Sequence, residues 1–153
     1  MKSVKDVIRY LEDHDVLYYE TGSVQFGCSS EESDYDIVIL DLESNIEEGL
    51  KRYLCNIDIL YENVSERYPG IKFHAGTTEI NIIPVNSYKD FYNWILATNA
   101  VKDIYKSGVN LNKIERADFF EKMIKRSVIY SSVIQINKET VTNLINLHRK
   151  VIW

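Results

Sequence analysis

The chain opens with an apolar face set in a charged background. Val4, Val7, Ile8 and Leu11 recur at spacings of three and four, which predicts an amphipathic helix ending near His14. A β-rich run over 16–20 then meets Thr21-Gly22-Ser23, where a glycine and a serine stop a strand and open a helical turn. Residues 36–40 read differently, because a polar loop gives way to a continuous apolar run, the pattern of a strand covered on both faces. From 46 to 64 the period returns to three and four through Ile46, Leu50, Tyr53, Leu54, Ile57, Leu60, Tyr61 and Val64, and predicts one long helix or two in sequence. Tyr68-Pro69-Gly70 ends it. Residues 71–75 and 79–85 predict a hairpin around Gly76-Thr77-Thr78, and helices are expected over 88–106, 113–134 and 138–152.

That order of elements implies the α+β class, with a small mixed sheet covered by helices. A chain of 153 residues has room for one domain, divided on this reading into a core over 1–86 and a helical appendage over 87–153. Hydrophobic residues at 45% and charged residues at 27% exclude disordered, collagen-like and coiled-coil classes. No apolar run reaches the length of a membrane span, so the expectation is a soluble, cytoplasmic protein without a membrane partner. Cys28 and Cys55 are too few for a disulfide scaffold and lack metal-site spacing, which leaves them as free thiols.

The net charge of −5 conceals an asymmetry. Residues 31–66 carry eleven carboxylates against Lys51 and Arg52, whereas 101–153 carry ten Lys and Arg against five Asp and Glu. Such a division suits an acidic part that holds cations and a basic part that meets phosphates, or simply two solvated faces. The acidic total argues against broad affinity for duplex nucleic acid, while the basic half leaves a local RNA contact open.

Candidate chemistry concentrates in 21–40. Asp34 and Asp36 are two apart, so at the entry of a strand their side chains share a face. Two carboxylates held side by side repel unless a cation lies between them, and Mg²⁺ accepts a few carboxylates together with phosphate oxygens and water. Across a spacer of ten residues from Asp34 lies Gly22-Ser23, where Gly22 lets backbone approach a ligand, the turn after it offers N–H groups to a phosphate, and Ser23 adds a hydroxyl. Gly27 falls where a one-turn helix would end. A phosphate cradle facing a metal pair is what a nucleoside triphosphate requires.

This pattern of a strand, Gly22-Ser23, Gly27, Ser33-Asp34-Tyr35-Asp36 and an apolar strand resembles the nucleotidyltransferase superfamily that includes DNA polymerase β, over roughly the first 85 residues. The second half, with Trp94, Ala97-Thr98, Lys113, Arg116 and Phe119-Phe120-Glu121, more loosely resembles small nucleotidyltransferase-like proteins of phages and bacteria. The resemblance implies a nucleotidyltransferase fold. It also implies two Mg²⁺ ions on Asp34 and Asp36, and transfer of a nucleoside monophosphate from a triphosphate to an acceptor hydroxyl with release of pyrophosphate. The acceptor would be a small molecule, a protein or an RNA end. Gly22, Ser23, Ser33 and Asn81 would hold the nucleotide.

The resemblance also implies a third carboxylate, on the strand Thr78-Glu79-Ile80-Asn81-Ile82-Ile83. Asn81 occupies the corresponding position and cannot act as a base, whereas Glu79 shares its face two residues earlier and reaches the metals if the register is shifted. The alternative is therefore a catalytically lapsed module that binds a nucleotide or a protein partner in an antitoxin-like or host-interaction role; a homo-oligomer is open on either reading. On a helix from Lys113, the residues Ala117, Phe120, Met123, Ile124, Ser127 and Val128 form the inward side, with Lys122, Lys125 and Arg126 opposite. Lys113 and Arg116 fall inward, where they either pair with carboxylates or meet the triphosphate. His148 lies in the apolar stripe of the last helix and reads as a packed residue, and His74 reads as a strand-surface histidine.

Overall fold

The computed structural model describes residues 3–22, 35–54, 59–60, 70–75, 78–131 and 136–150. The first helix, α1 (Val4–Asp13), begins where sequence places it. Ser3 and Asp6 form a capping box, with Ser3 N donating to Asp6 Oδ2 at 2.8 Å and Asp6 N donating back to Ser3 Oγ at 3.4 Å. Its apolar stripe buries Val7 and Leu11 completely.

Five strands follow in the chain: β1 (Tyr18–Thr21), β2 (Tyr35–Leu40), β3 (Ile59–Leu60), β4 (Ile71–Ala75) and β5 (Thr78–Val85). They form one mixed sheet in the order β1-β2-β5-β4-β3, in which β2 and β5 are the parallel pair and every other pairing is antiparallel. The predicted hairpin is the antiparallel β4–β5 pair; Gly76 and Thr77 lie outside the described residues.

Strand alternation divides the core in two. Tyr18, Ile37, Ile39, Ile71, Ile80 and Ile82 face α1 and α2 (Ile46–Tyr53), where Val7, Leu11, Leu50 and Leu54 meet them. Tyr19, Val38, Leu40 and Ile83 face the opposite way, against α3 (Tyr88–Lys106), α4 (Lys113–Ser131) and α5 (Lys138–Lys150). The central strands are thus covered on both sides, the physical reason 36–40 reads as an uninterrupted apolar run. At the end of β2, Asp41 is 2% exposed and its two carboxylate oxygens accept the N–H groups of Ile46 and Glu47 at 3.0 and 3.1 Å, which starts α2.

The helix expected over 46–64 is corrected. The described helix stops at Tyr53, Leu54 closes it, and Ile59–Leu60 is a strand paired with Phe73 and Lys72. Ile57, Ile59 and Tyr61 alternate as well as they fit a helical period, and an open edge on β4 decides for the strand. A second correction concerns α4. Ala117 is exposed, and so is Lys113, and Ile114 in the same first turns is 74% exposed. Packing begins with Arg116 and Phe119 and is completed by Phe120, whose ring meets Trp94 edge-on at 5.0 Å. His148 is half-buried on α5 as the stripe indicates. Burial lowers its pKa, with Asp103 acting against that shift and Lys102 with it.

Candidate functional site

Strand register assembles the site. Thr21, the last residue of β1, lies opposite Asp36 near the start of β2, and Asp36 lies beside Asn81 in β5. All three project to the face that α3 approaches, since Val38 and Ile83 on that same alternation belong to the α3 core. α3 leaves β5 at Val85 and runs back over the sheet, where Thr98 shares a hydrogen bond of 2.7 Å with Thr21 and also donates to Trp94 O at 2.8 Å. Asn99 Nδ2 donates to Tyr19 Oη at 3.0 Å. These contacts bind the end of β1 to the helix layer and set the level at which Asp36 meets the surface.

Asp36 is half-buried between two neighbours. On one side Asn81, 3% exposed, donates from Nδ2 to Asp36 Oδ1 at 2.8 Å. On the other side lies Gly22 with φ +81, a backbone state that L side chains rarely adopt, and any Cβ added there would collide with the Asp36 carboxylate. The glycine after β1 is therefore required twice, by its dihedral and by the close approach of the carboxylate. On the reverse face of the sheet Tyr35 donates its hydroxyl to the Glu20 carboxylate, tying β1 to β2 beneath the site. Burial and that acidic partner raise the Tyr35 pKa above the ordinary phenol value.

Of the residues singled out in the sequence, Gly22, Asp36 and Asn81 are brought together. The register is unshifted, so Asn81 and not Glu79 is the neighbour of Asp36. Glu79 stands two residues earlier on the same face, with Oε1 at 3.6 Å from Lys72 Nζ. Ser23, Gly27, Cys28, Ser33 and Asp34 lie outside the described residues, as does the side chain of His74. Arg116 is half-buried at the start of α4, where Nη1 donates to Tyr105 Oη at 3.3 Å near the end of α3. Lys113 is exposed, so its expected inward position is not adopted.

Sequence reasoning passed over Lys72, and named Thr98 only within a loose resemblance, with no role at the site. Lys72 alternates with buried Ile71 and looks like an ordinary solvent-facing strand residue; only its register opposite Asn81 puts it on the site face. Thr98 sits in a helical stripe that reads as core.

The cation test is a matter of donor chemistry. Among the described residues no group of three or more His, Cys, Asp or Glu side chains is placed to hold a metal ion. The site face carries the Asp36 carboxylate, which fits an ion that draws its remaining ligands from phosphate and water, with Asp34 the adjacent carboxylate in sequence. A cavity of about 310 Å³ lies at the opposite end of β2 and β5, lined by Asp41, Glu47, Val85, Asp90 and Trp94. It is separate from this constellation. Among the described residues no helix is long and apolar enough to cross a membrane.

No family model matches the chain, and no curated protein matches it. Among solved structures, the chain is similar to a Cid1 poly(U) polymerase at 19% identity and a TM-score of 0.45, over 66% of this chain and 33% of that one. It is similar also to a cytoplasmic RNA terminal U-transferase at 17% identity and a TM-score of 0.42, over 67% and 33%. The chain spans about a third of the length of either neighbour.

Proposed function

We propose that the chain is a nucleotidyltransferase-type domain that binds a nucleoside triphosphate and moves its nucleoside monophosphate to an acceptor hydroxyl. The observation that carries this reading is the seating of Asp36, held by the Asn81 amide on one side and closed against the positive-φ Gly22 on the other. It joins the two halves of the sequence motif, a phosphate-approaching glycine and a metal-type carboxylate, at one point. Asp34 and Asp36 would hold Mg²⁺, which when bound neutralises charge on the phosphates and polarises them. Gly22, Ser23 and Ser33 bind the triphosphate, and Arg116 supplies a cation from the helix layer. In the reaction the acceptor oxygen forms a bond to the α-phosphorus, the bond from that phosphorus to the bridging oxygen breaks, pyrophosphate leaves and the hydroxyl proton passes to solvent.

A second reading is favoured by one specific contact. The side chain bonded to Asp36 is an amide, which takes up no proton, so a domain that binds nucleotide without transferring it also fits the site.

Calorimetric titration of ATP and GTP with and without Mg²⁺ tests both. Asp36→Asn is expected to weaken Mg²⁺-dependent binding by about tenfold to a hundredfold, the scale of a lost charge-assisted contact. Gly22→Ala is expected to do the same by pushing a methyl group into the carboxylate. Binding that is indifferent to Asp36→Asn contradicts the proposal. Transfer of label from an α-phosphate-labelled triphosphate into RNA, protein or small acceptors separates an active site from a lapsed one.

A further inference from the structure

The site face carries a transverse row of four polar residues. Register aligns Thr21 with Asp36, Asp36 with Asn81, and Asn81 with Lys72, on four adjacent strands. Directly opposed residues project to the same face, so Lys72 and Asp36 stand two strands apart, roughly 10 Å by strand spacing. The Lys72 side chain is 22% exposed, and its partner Glu79 is 23% exposed. At 3.6 Å their contact is longer than a charge-assisted hydrogen bond, so the ammonium is only loosely held by Glu79 while roughly a fifth of each side chain still reaches solvent. A phosphate arriving from solvent has more oxygens to offer the ammonium than Glu79 does.

Direction decides which phosphate. In an in-line displacement the attacking and leaving oxygens lie on opposite sides of the phosphorus being transferred. Gly22 lies against Asp36 on the β1 side, which on the nucleotidyltransferase reading is the side that takes the triphosphate tail. The acceptor then enters from the other side, over Asn81 and toward Lys72. An anionic acceptor on that path passes Asp36 and Glu79, and without a cation it would be repelled. Resting on the nucleotidyltransferase reading, we propose that Lys72 binds a phosphate of the acceptor and makes the site selective for acceptors that carry phosphate close to the reacting hydroxyl. Glu79 holds the ammonium in position until that phosphate displaces it.

The test compares each charged probe with a counterpart made neutral at the phosphates nearest the reacting end, on the full chain, by fluorescence anisotropy and competition. One pair is a fluorescein-labelled ten-nucleotide single-stranded RNA and the same oligomer with methylphosphonates at its two 3′-terminal linkages. The other is adenosine 5′-monophosphate and adenosine. Lys72→Met is expected to weaken at least one charged probe about tenfold without affecting its neutral counterpart. Lys72→Arg keeps the charge and stays within about twofold, which controls for folding, and Glu79→Gln tightens the charged probe by removing its competitor. A loss on RNA alone assigns the phosphate to a nucleic-acid end, and a loss on the monophosphate assigns it to small acceptors too. Equal losses on charged and neutral probes, or no loss on either, overturn the inference. Wild-type chain that binds RNA but no triphosphate contradicts the underlying reading instead, so the two failures are distinguishable.

Discussion

At Asn81 a single amide decides how the site stands without a ligand. Its N–H answers the Asp36 carboxylate at 2.8 Å in a position only 3% exposed, so Asp36 is held by a hydrogen bond where a second carboxylate would repel it. Asn81→Asp is therefore expected to destabilise the fold by roughly 1–3 kcal/mol in urea unfolding, the cost of a lost buried bond plus like-charge repulsion. Millimolar Mg²⁺ is expected to restore much of that loss in the variant while changing the wild type less. A variant equally stable with and without Mg²⁺ would show that no cation reaches Asp36. Gly22 and Asp36 were legible in sequence because each carries an unusual chemical requirement for its place, and Asn81 because it stands where the resemblance implies a third carboxylate. Lys72 was not, because a lysine between Ile71 and Phe73 has the alternation of any exposed strand position, and its neighbours across the sheet are set by pairing alone.

Helices were legible where amphipathic periods were long and capped. Ser3 with Asp6 starts α1, and Ser87, accepting from Asp90 N at 3.1 Å, starts α3. Residues 46–64 were misread because short apolar runs satisfy a helical and an extended period at once, and β3 exists only through its pairing with β4. The first turn of α4 was misread for a related reason: a helical wheel orders angles but does not say where along the helix the neighbour begins. α3 holds one further anomaly at this scale. Asn93 is fully buried, and neither amide atom is hydrogen-bonded among the described residues. Leaving such a group unpaired costs about 1–3 kcal/mol, so Asn93→Leu, which keeps the branched shape of the side chain, is expected to raise stability in equilibrium unfolding by up to that amount. A clear loss would mean that the amide has a role that packing does not reveal.

Across the whole molecule, one sheet serves two cores. Ile37 and Ile39 of β2 belong to the α1–α2 side, while Val38 and Leu40 belong to the α3–α5 side, so neither layer separates without stripping the central strand. Phe120→Ala removes the ring that meets Trp94 and is expected to cost about 3 kcal/mol, the usual scale for a large core aromatic. The loss should appear in a single transition, with circular dichroism and tryptophan fluorescence coinciding. Two separated transitions would show that the α3–α5 layer unfolds independently of the sheet.

Sequence by itself determined the α+β order of elements, the buried centre of β2, the glycine beside the acidic strand and the amphipathic first helix. Each of these follows from local chemistry: periodicity or a special dihedral. Tertiary structure alone decided the register that sets Asn81 beside Asp36, the row that reaches Lys72, the strand at Ile59–Leu60 and the exposed start of α4. Those depend on hydrogen bonds and contacts between segments far apart in the chain, whose free energy no local pattern contains.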